Sequence, residues 1–151
     1  MLSRSERQTE TMVTGSQQIL IAEGTFLRQK RVGYVARVKV EIRTPVATPA
    51  IAVELEGELW ARPTPEWEGA ARYGVDYALG QLKRTDCLVR ITQILGTIAD
   101  TNATIVAAAA VDAVWKALKV EPPAALRSRI EEVTLESWTA KDAKHKEFGN
   151  T

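Results

Sequence analysis

Residues that build catalytic and metal centres are scarce in this chain of 151 residues. There is one cysteine, Cys87, so an internal disulfide is excluded and a reducing compartment is favoured. There is one histidine, His145, so a zinc site of the Cys/His kind is excluded by count. A nucleophilic cysteine needs a histidine and an orienting third group, and His145 lies in a polar tail. The residues predict no metal and no other cofactor, and they disfavour an enzyme without settling the question.

Strong net charge and long apolar runs are missing as well. The net charge is +1, so binding to nucleic acid needs a local basic patch. No apolar run reaches about 18 residues, so no membrane span is predicted. Residues 1–7 lack the apolar centre of a secretory signal, which makes the cytoplasm the expected compartment. A Walker-type phosphate loop, Gly-x-x-x-x-Gly-Lys-Ser/Thr, is absent from the sequence.

Four segments of the chain have the period of β-strands. The clearest is residues 37–43, in which Val38, Val40 and Ile42 alternate with charged residues. A sheet with one apolar face is typically antiparallel in most pairings, with helices covering that face. In the first strand, Gly24 predicts a bulge or the close approach of another element. The predicted strands are residues 19–28, 37–43, 51–59 and 88–95.

Three further segments have helical spacing. Thr64 is the predicted N-cap of the first helix, with Pro65 at the first helical position. The second helix is apolar almost all round, so it must be buried over most of its girth. Either the third helix or a partner subunit covers the rest of it, and the third helix is the simpler choice. The predicted helices are residues 65–82, 103–119 and 123–138.

The order of these elements defines an α+β fold. Two helices cover one face of a four-stranded, mostly antiparallel sheet in the order β-β-β-α-β-α, and a C-terminal helix follows. The length corresponds to one domain. We predict a mobile arm over residues 1–17, a core over 18–120, and a C-terminal helix with a polar, mobile tail over 121–151.

A basic hairpin joins the first two predicted strands. Its cations are Arg28, Lys30, Arg31 and Arg37. Such cations can neutralise phosphates, and Tyr34 or Phe26 can stack on an unpaired base. The alternative is a solvated hairpin whose cations serve solubility, which the small size of the patch and the low net charge favour.

The same hairpin carries the residues of a family motif. It contains Gly24, then Phe26-Leu27-Arg28-Gln29, then Gly33-Tyr34 and an alternating strand. Further on, residues 66–79, 89–92 and 100–110 are similar to a helix, a strand and an alanine-rich helix of that family. Over residues 19–119 the chain therefore resembles domain IV of elongation factor G, which has the ribosomal protein S5 domain 2-like fold.

The resemblance implies the β-β-β-α-β-α order and a non-catalytic binding module. It implies contact with ribosomal or other RNA through the 28–37 hairpin, and the candidate residues are Arg28, Gln29, Lys30, Arg31, Tyr34 and Arg37. The tip is shorter than in the family, and the loop at residues 96–99 lacks the family's Tyr-His pair. Because the GTPase domain is absent, GTP-driven translocation is not implied.

A structural or assembly role is the alternative function, through self-association or a protein partner. Trp60, which lies beside Arg62, and Trp138 are the candidate interface residues, since tryptophan and arginine anchor contact surfaces. Packing within the fold is the competing interpretation of each tryptophan.

Glu54, Glu56 and Glu58 form an acidic row on one predicted strand. Such a row can bind a divalent cation or serve acid–base chemistry. The favoured interpretation is cross-strand ion pairing with Lys39 and Arg43.

Overall fold

The computed structural model describes residues 17–30, 33–57, 63–139 and 145–149. The predictions for the arm at residues 1–16, and for Arg31, Glu58, Trp60 and Arg62, lie outside the described residues. The strands are β1 (Gln18–Gln29), β2 (Gly33–Thr44), β3 (Ala50–Val53) and β4 (Leu88–Leu95). The helices are α1 (Pro65–Gln81), α2 (Ala103–Leu118) and α3 (Ala124–Leu135), and a short 3-10 helix spans Ser137–Thr139. The predicted α+β fold, with two helices plus a C-terminal helix, is confirmed.

The four strands form one sheet in the order β1-β2-β4-β3. β2 pairs antiparallel with both β1 and β4, whereas β3 pairs parallel with β4. Parallel neighbours need a long crossover, and α1 provides it between β3 and β4.

β3 is shorter than its alternating sequence predicts. The strand ends at Val53, although the N–H groups of Glu54 and Glu56 still donate to the carbonyls of Ile91 and Thr92. The predicted strand over residues 51–59 is therefore wrong for residues 54–57, and its last two residues lie outside the described part of the chain. Alternation predicts which side chains face inward, but it does not predict regular pairing at a sheet edge.

One face of the sheet is buried and the other is exposed. Val38, Val40 and Ile42 of β2 are fully buried beneath α2, while α1 packs on β3 and β4. The opposite face is called the open face here. Its side chains include Ile19, Ile21, Glu23, Thr25 and Leu27 of β1, Val35, Arg37, Lys39, Glu41 and Arg43 of β2, Arg90 of β4, and Glu54 and Glu56 after β3.

Helix α2 is buried on nearly all sides within this chain. It packs on β1 and β2, on α1 and on α3. Its backbone meets Gly24 of β1, where an added Cβ would overlap the amide of Ala113 and the carbonyl of Ala109. Gly24 is therefore a point of close approach. No helix in the described part of the chain is long and apolar enough to span a membrane.

Five residues of the polar tail are packed against the helices. Phe148 is 1% exposed, and the backbone of Lys146 donates to Thr104 Oγ1 at 2.8 Å. Residues 145–149, predicted as part of a mobile tail, are thus packed against the helices, and Phe148 is buried in a pocket between them. The rest of the tail, residues 140–144 and 150–151, lies outside the described residues.

Candidate functional site

The end of the β1–β2 hairpin is fastened to the rest of the fold. We call residues 28–30 and 33–35 the hairpin end. The Val35 N–H donates to the carbonyl of Asp100 at 2.8 Å, and Trp138 Nε1 donates to the carbonyl of Gly33 at 3.2 Å. The described part of the hairpin therefore rests on the turn before α2 and on the segment after α3.

Arg28 is engaged in an ion pair. Its Nε and Nη2 lie 3.2 and 3.3 Å from the carboxylate of Glu131 on α3. The guanidinium also lies 4.8 Å from the ring centroid of Phe26. The hydrogen bond from Arg28 lowers the pKa of Glu131 below its usual range. The charge of Arg28 is thus largely neutralised by Glu131.

Tyr34 and Phe26 belong to the core. Each is 6% exposed, and the two rings pack edge to face with centroids 6.4 Å apart. The Tyr34 hydroxyl donates to the carbonyl of Leu135 at 2.7 Å, and Trp138 packs beside the ring. Neither ring presents a face to solvent in this arrangement, and the base-stacking role of Tyr34 or Phe26 stays a prediction. Trp138, the described interface candidate, is half-buried over the hairpin end.

The remaining candidates face solvent. Gln29, Lys30 and Arg37 are exposed, and Lys39 lies two residues beyond Arg37 on the open face. Within the described residues, neither Arg37 nor Lys39 forms an ion pair. Lys39, which the sequence assigned to pairing with the acidic row, is therefore a free cation among these residues.

The other end of the open face is acidic. Arg90 of β4 donates to Glu54 at 2.7 Å, and to Glu41 and Glu56 at 2.9 Å each. These bonds, Glu54 first, raise the pKa of the Arg90 guanidinium. Ion pairing of the acidic row is confirmed for Glu54 and Glu56, but the cation is Arg90. The sequence pattern did not reveal it because β4, not β2, is the neighbour of β3.

Arg43 also takes part in the acidic end. Its Nε lies 3.5 Å from Glu41 Oε2. Three carboxylates and two guanidiniums thus form one network beside β3. On the open face, Arg37 and Lys39 lie in the middle of β2, with Glu23 of β1 opposite Lys39, and the acidic network lies towards β3.

Cys87 does not have the environment of a nucleophile. It is 2% exposed, and burial raises the pKa of its thiol. A reactive cysteine has a lowered pKa because its thiolate is stabilised, whereas the pKa of Cys87 is raised.

The fold has a counterpart among solved structures. A crystal structure of a protein from Thermus thermophilus superposes with a TM-score of 0.58 at 14% sequence identity. The match covers 69% of this chain and 16% of the Thermus chain, so the shared fold is a small part of that longer protein. No protein-family model matches the sequence, and no curated protein is significantly similar to it. These comparisons therefore show the α+β fold of the chain and assign it to no family.

Proposed function

We propose that this chain is a non-catalytic module that binds RNA through the exposed cations of the 28–37 hairpin and the adjoining Lys39, as a divergent relative of elongation factor G domain IV. The observation that supports it best is the exposure of Arg37 and Lys39, side by side on β2 and unpaired within the described residues. Lys30 is a further exposed cation of the hairpin, and its charge helps to lower the pKa of Glu131 on α3. The Thermus structure supports a module, because there the fold is one part of a longer chain.

The contacts would be to phosphates. The described open face carries no aromatic ring, and Tyr34 and Phe26 are buried. Cations bind the backbone without reading sequence, whereas base readout needs stacking or hydrogen bonds to base edges. Binding is therefore expected to tolerate sequence changes in the RNA and to weaken steeply with salt.

The test is a titration of a fluorescent, structured RNA by anisotropy at several salt concentrations. The double variant Arg37→Glu/Lys39→Glu should weaken binding at least tenfold at low salt. Each lost phosphate contact should flatten the salt dependence of log K by roughly 0.7–0.9. The matched control is Lys83→Glu/Lys119→Glu, which makes the same charge change at two exposed turn positions after α1 and α2. Equal losses in both double variants would refute the proposal, since they would indicate net charge alone.

A second candidate is assembly through strand β1. Ile19, Ile21 and Leu27 are 48%, 60% and 64% exposed along this edge strand. Edge strands with exposed apolar side chains pair readily with other chains. Light scattering across the micromolar range should then show a dimer that Ile21→Lys dissociates. A monomer at every concentration would exclude self-association as the function.

A further inference from the structure

Residues 145–149, called the 145–149 segment here, occupy a groove between α1, α2 and α3. Phe148 fills its centre and is 1% exposed. Its ring packs against Tyr77 at a centroid distance of 5.3 Å and against Tyr73 at 5.7 Å. His145 stacks on Tyr73 with centroids 4.2 Å apart and planes 16° apart. The groove thus has one deep aromatic pocket and one stacking surface beside it.

Four side chains of the helices hold the main chain of this segment. Thr104 Oγ1 accepts from Lys146 N at 2.8 Å, and the Tyr73 hydroxyl accepts from Phe148 N at 2.7 Å. Arg129 Nε donates to the Phe148 carbonyl, and the Tyr77 hydroxyl to the Gly149 carbonyl, each at 2.7 Å. Recognition of main-chain groups together with one side-chain pocket is how peptide grooves bind extended ligands.

The backbone conformation favours glycine at the position after the phenylalanine. Gly149 has φ +76°, and an added Cβ would lie 3.4 Å from the guanidinium of Arg129. A side chain there would be strained by the positive φ, although its Cβ would make only an ordinary contact with Arg129. The groove therefore favours phenylalanine followed by glycine.

Contacts with the groove, and not regular structure within the segment, hold residues 145–149 in place. The segment forms no helix and no strand of its own. The four main-chain bonds run to side chains on three separate helices, so an unconnected peptide of the same sequence can make the same contacts.

We propose that this groove is a peptide-binding site for an extended Phe-Gly segment, and that residues 145–149 occupy it in cis. The site is independent of the open face and of RNA. Its ligand class is a partner peptide with phenylalanine followed by glycine, and the covalently attached copy competes with it at an effective concentration of millimolar order.

The test uses the full chain with Phe148→Ala, which empties the central pocket. A fluorescent peptide with the sequence of residues 143–151 is titrated and followed by anisotropy. The variant should bind it saturably, and the native chain should bind at least tenfold more weakly, because its own segment competes. Replacing the phenylalanine of the peptide with alanine should abolish binding, and replacing the glycine with alanine should weaken it at least tenfold.

Absence of saturable binding to the folded Phe148→Ala chain would overturn the proposal, as would binding that survives loss of the peptide's phenylalanine. If the Phe148→Ala variant does not fold, the proposal is tested on the native chain, where added peptide competes with the 145–149 segment. Millimolar peptide should accelerate amide hydrogen exchange in the 145–149 segment, and the alanine-substituted peptide should not. Unchanged exchange in the segment would refute the site.

Discussion

At the scale of single residues, two glycines fix the position of α2. Gly24 of β1 lets the backbone of α2 lie close to the sheet. Gly74 of α1 lets the carbonyl of Ala107 in α2 lie close to α1. At both points main chain meets main chain, so neither partner can yield by changing a rotamer. Burial of the alanine-rich α2 depends on these close contacts as much as on its own apolar surface.

We expect Gly24→Ala to destabilise the fold by about 1–3 kcal/mol or more, because the added methyl group overlaps backbone atoms of Ala109 and Ala113. The measurement is the free energy of unfolding in urea. Gly69→Ala is the control, because an added Cβ on that residue of α1 meets nothing within 4 Å. That substitution should stabilise by roughly 0.5–1 kcal/mol. Equal stability of the Gly24→Ala and parent proteins would contradict the packing described.

At the scale of elements, Thr64 caps α1 as predicted, Asn102 caps α2, and the cap of α2 has a second role. Thr64 Oγ1 accepts from Trp67 N at the start of α1. Asn102 Oδ1 accepts from Ile105 N at the start of α2, while its Nδ2 donates to Ser137 Oγ. Asn102 therefore begins α2 and also joins it to the segment after α3.

We expect Asn102→Ala to cost more than Thr64→Ala. Loss of either cap costs about 1 kcal/mol, and the lost bond to Ser137 adds roughly 0.5–1.5 kcal/mol. Asn102→Asp separates the two contributions, because it keeps the capping oxygen and removes the donor. Urea unfolding should place Asn102→Ala lowest in stability and Asn102→Asp between it and the parent. Equal stability of Asn102→Asp and the parent would show that the Ser137 contact contributes nothing.

Local pattern predicted the elements well where one face is buried. Residues 88–95 were predicted as a strand and form β4 with the same limits, although Ile91 and Thr92 are both buried where the register with β2 shifts. The pattern failed at β3, where the charged side chains continue after regular pairing has ended. It also gave no indication that Arg90 is the partner of Glu54 and Glu56, since that depends on the order of strands in the sheet.

At the scale of the whole molecule, long-range contacts determine which hairpin residues remain available. The Tyr34 hydroxyl bonds to a residue 101 positions away, and Trp138 to Gly33 at 105 positions. No local spacing predicts such contacts, so Tyr34 looked like an exposed tip residue. The exposure of Lys30 and Arg37 could be predicted from sequence, because a solvated cation needs no partner within the fold.

The ion pair between Arg28 and Glu131 joins the hairpin end to α3, and it makes stability depend on pH. The folded-state pKa of Glu131 is lowered, first by the hydrogen bond from Arg28. Its contribution is therefore present above the unfolded-state pKa of about 4.3 and is lost as the pH falls through the lower folded-state value. Because both groups are about two-fifths exposed, the contribution should be about 0.2–1 kcal/mol.

The prediction is that Glu131→Gln lowers the free energy of unfolding at pH 7, and that the difference from the parent shrinks towards zero near pH 3. Urea titrations at both pH values measure it, with Arg28→Gln and the double variant completing a cycle. Glu132→Gln is the control on the next, exposed position of α3. A difference that is equally large at pH 3 would contradict an ionic origin.

The stacking of His145 on Tyr73 has a spectroscopic consequence. His145 is the one histidine of the chain, and its ring lies nearly parallel to the phenol at 4.2 Å. The ring current of Tyr73 must displace the imidazole carbon-bound proton signals from their free-peptide positions. An unlabelled sample therefore carries its own proton NMR reporter, which distinguishes the seated segment from the released one.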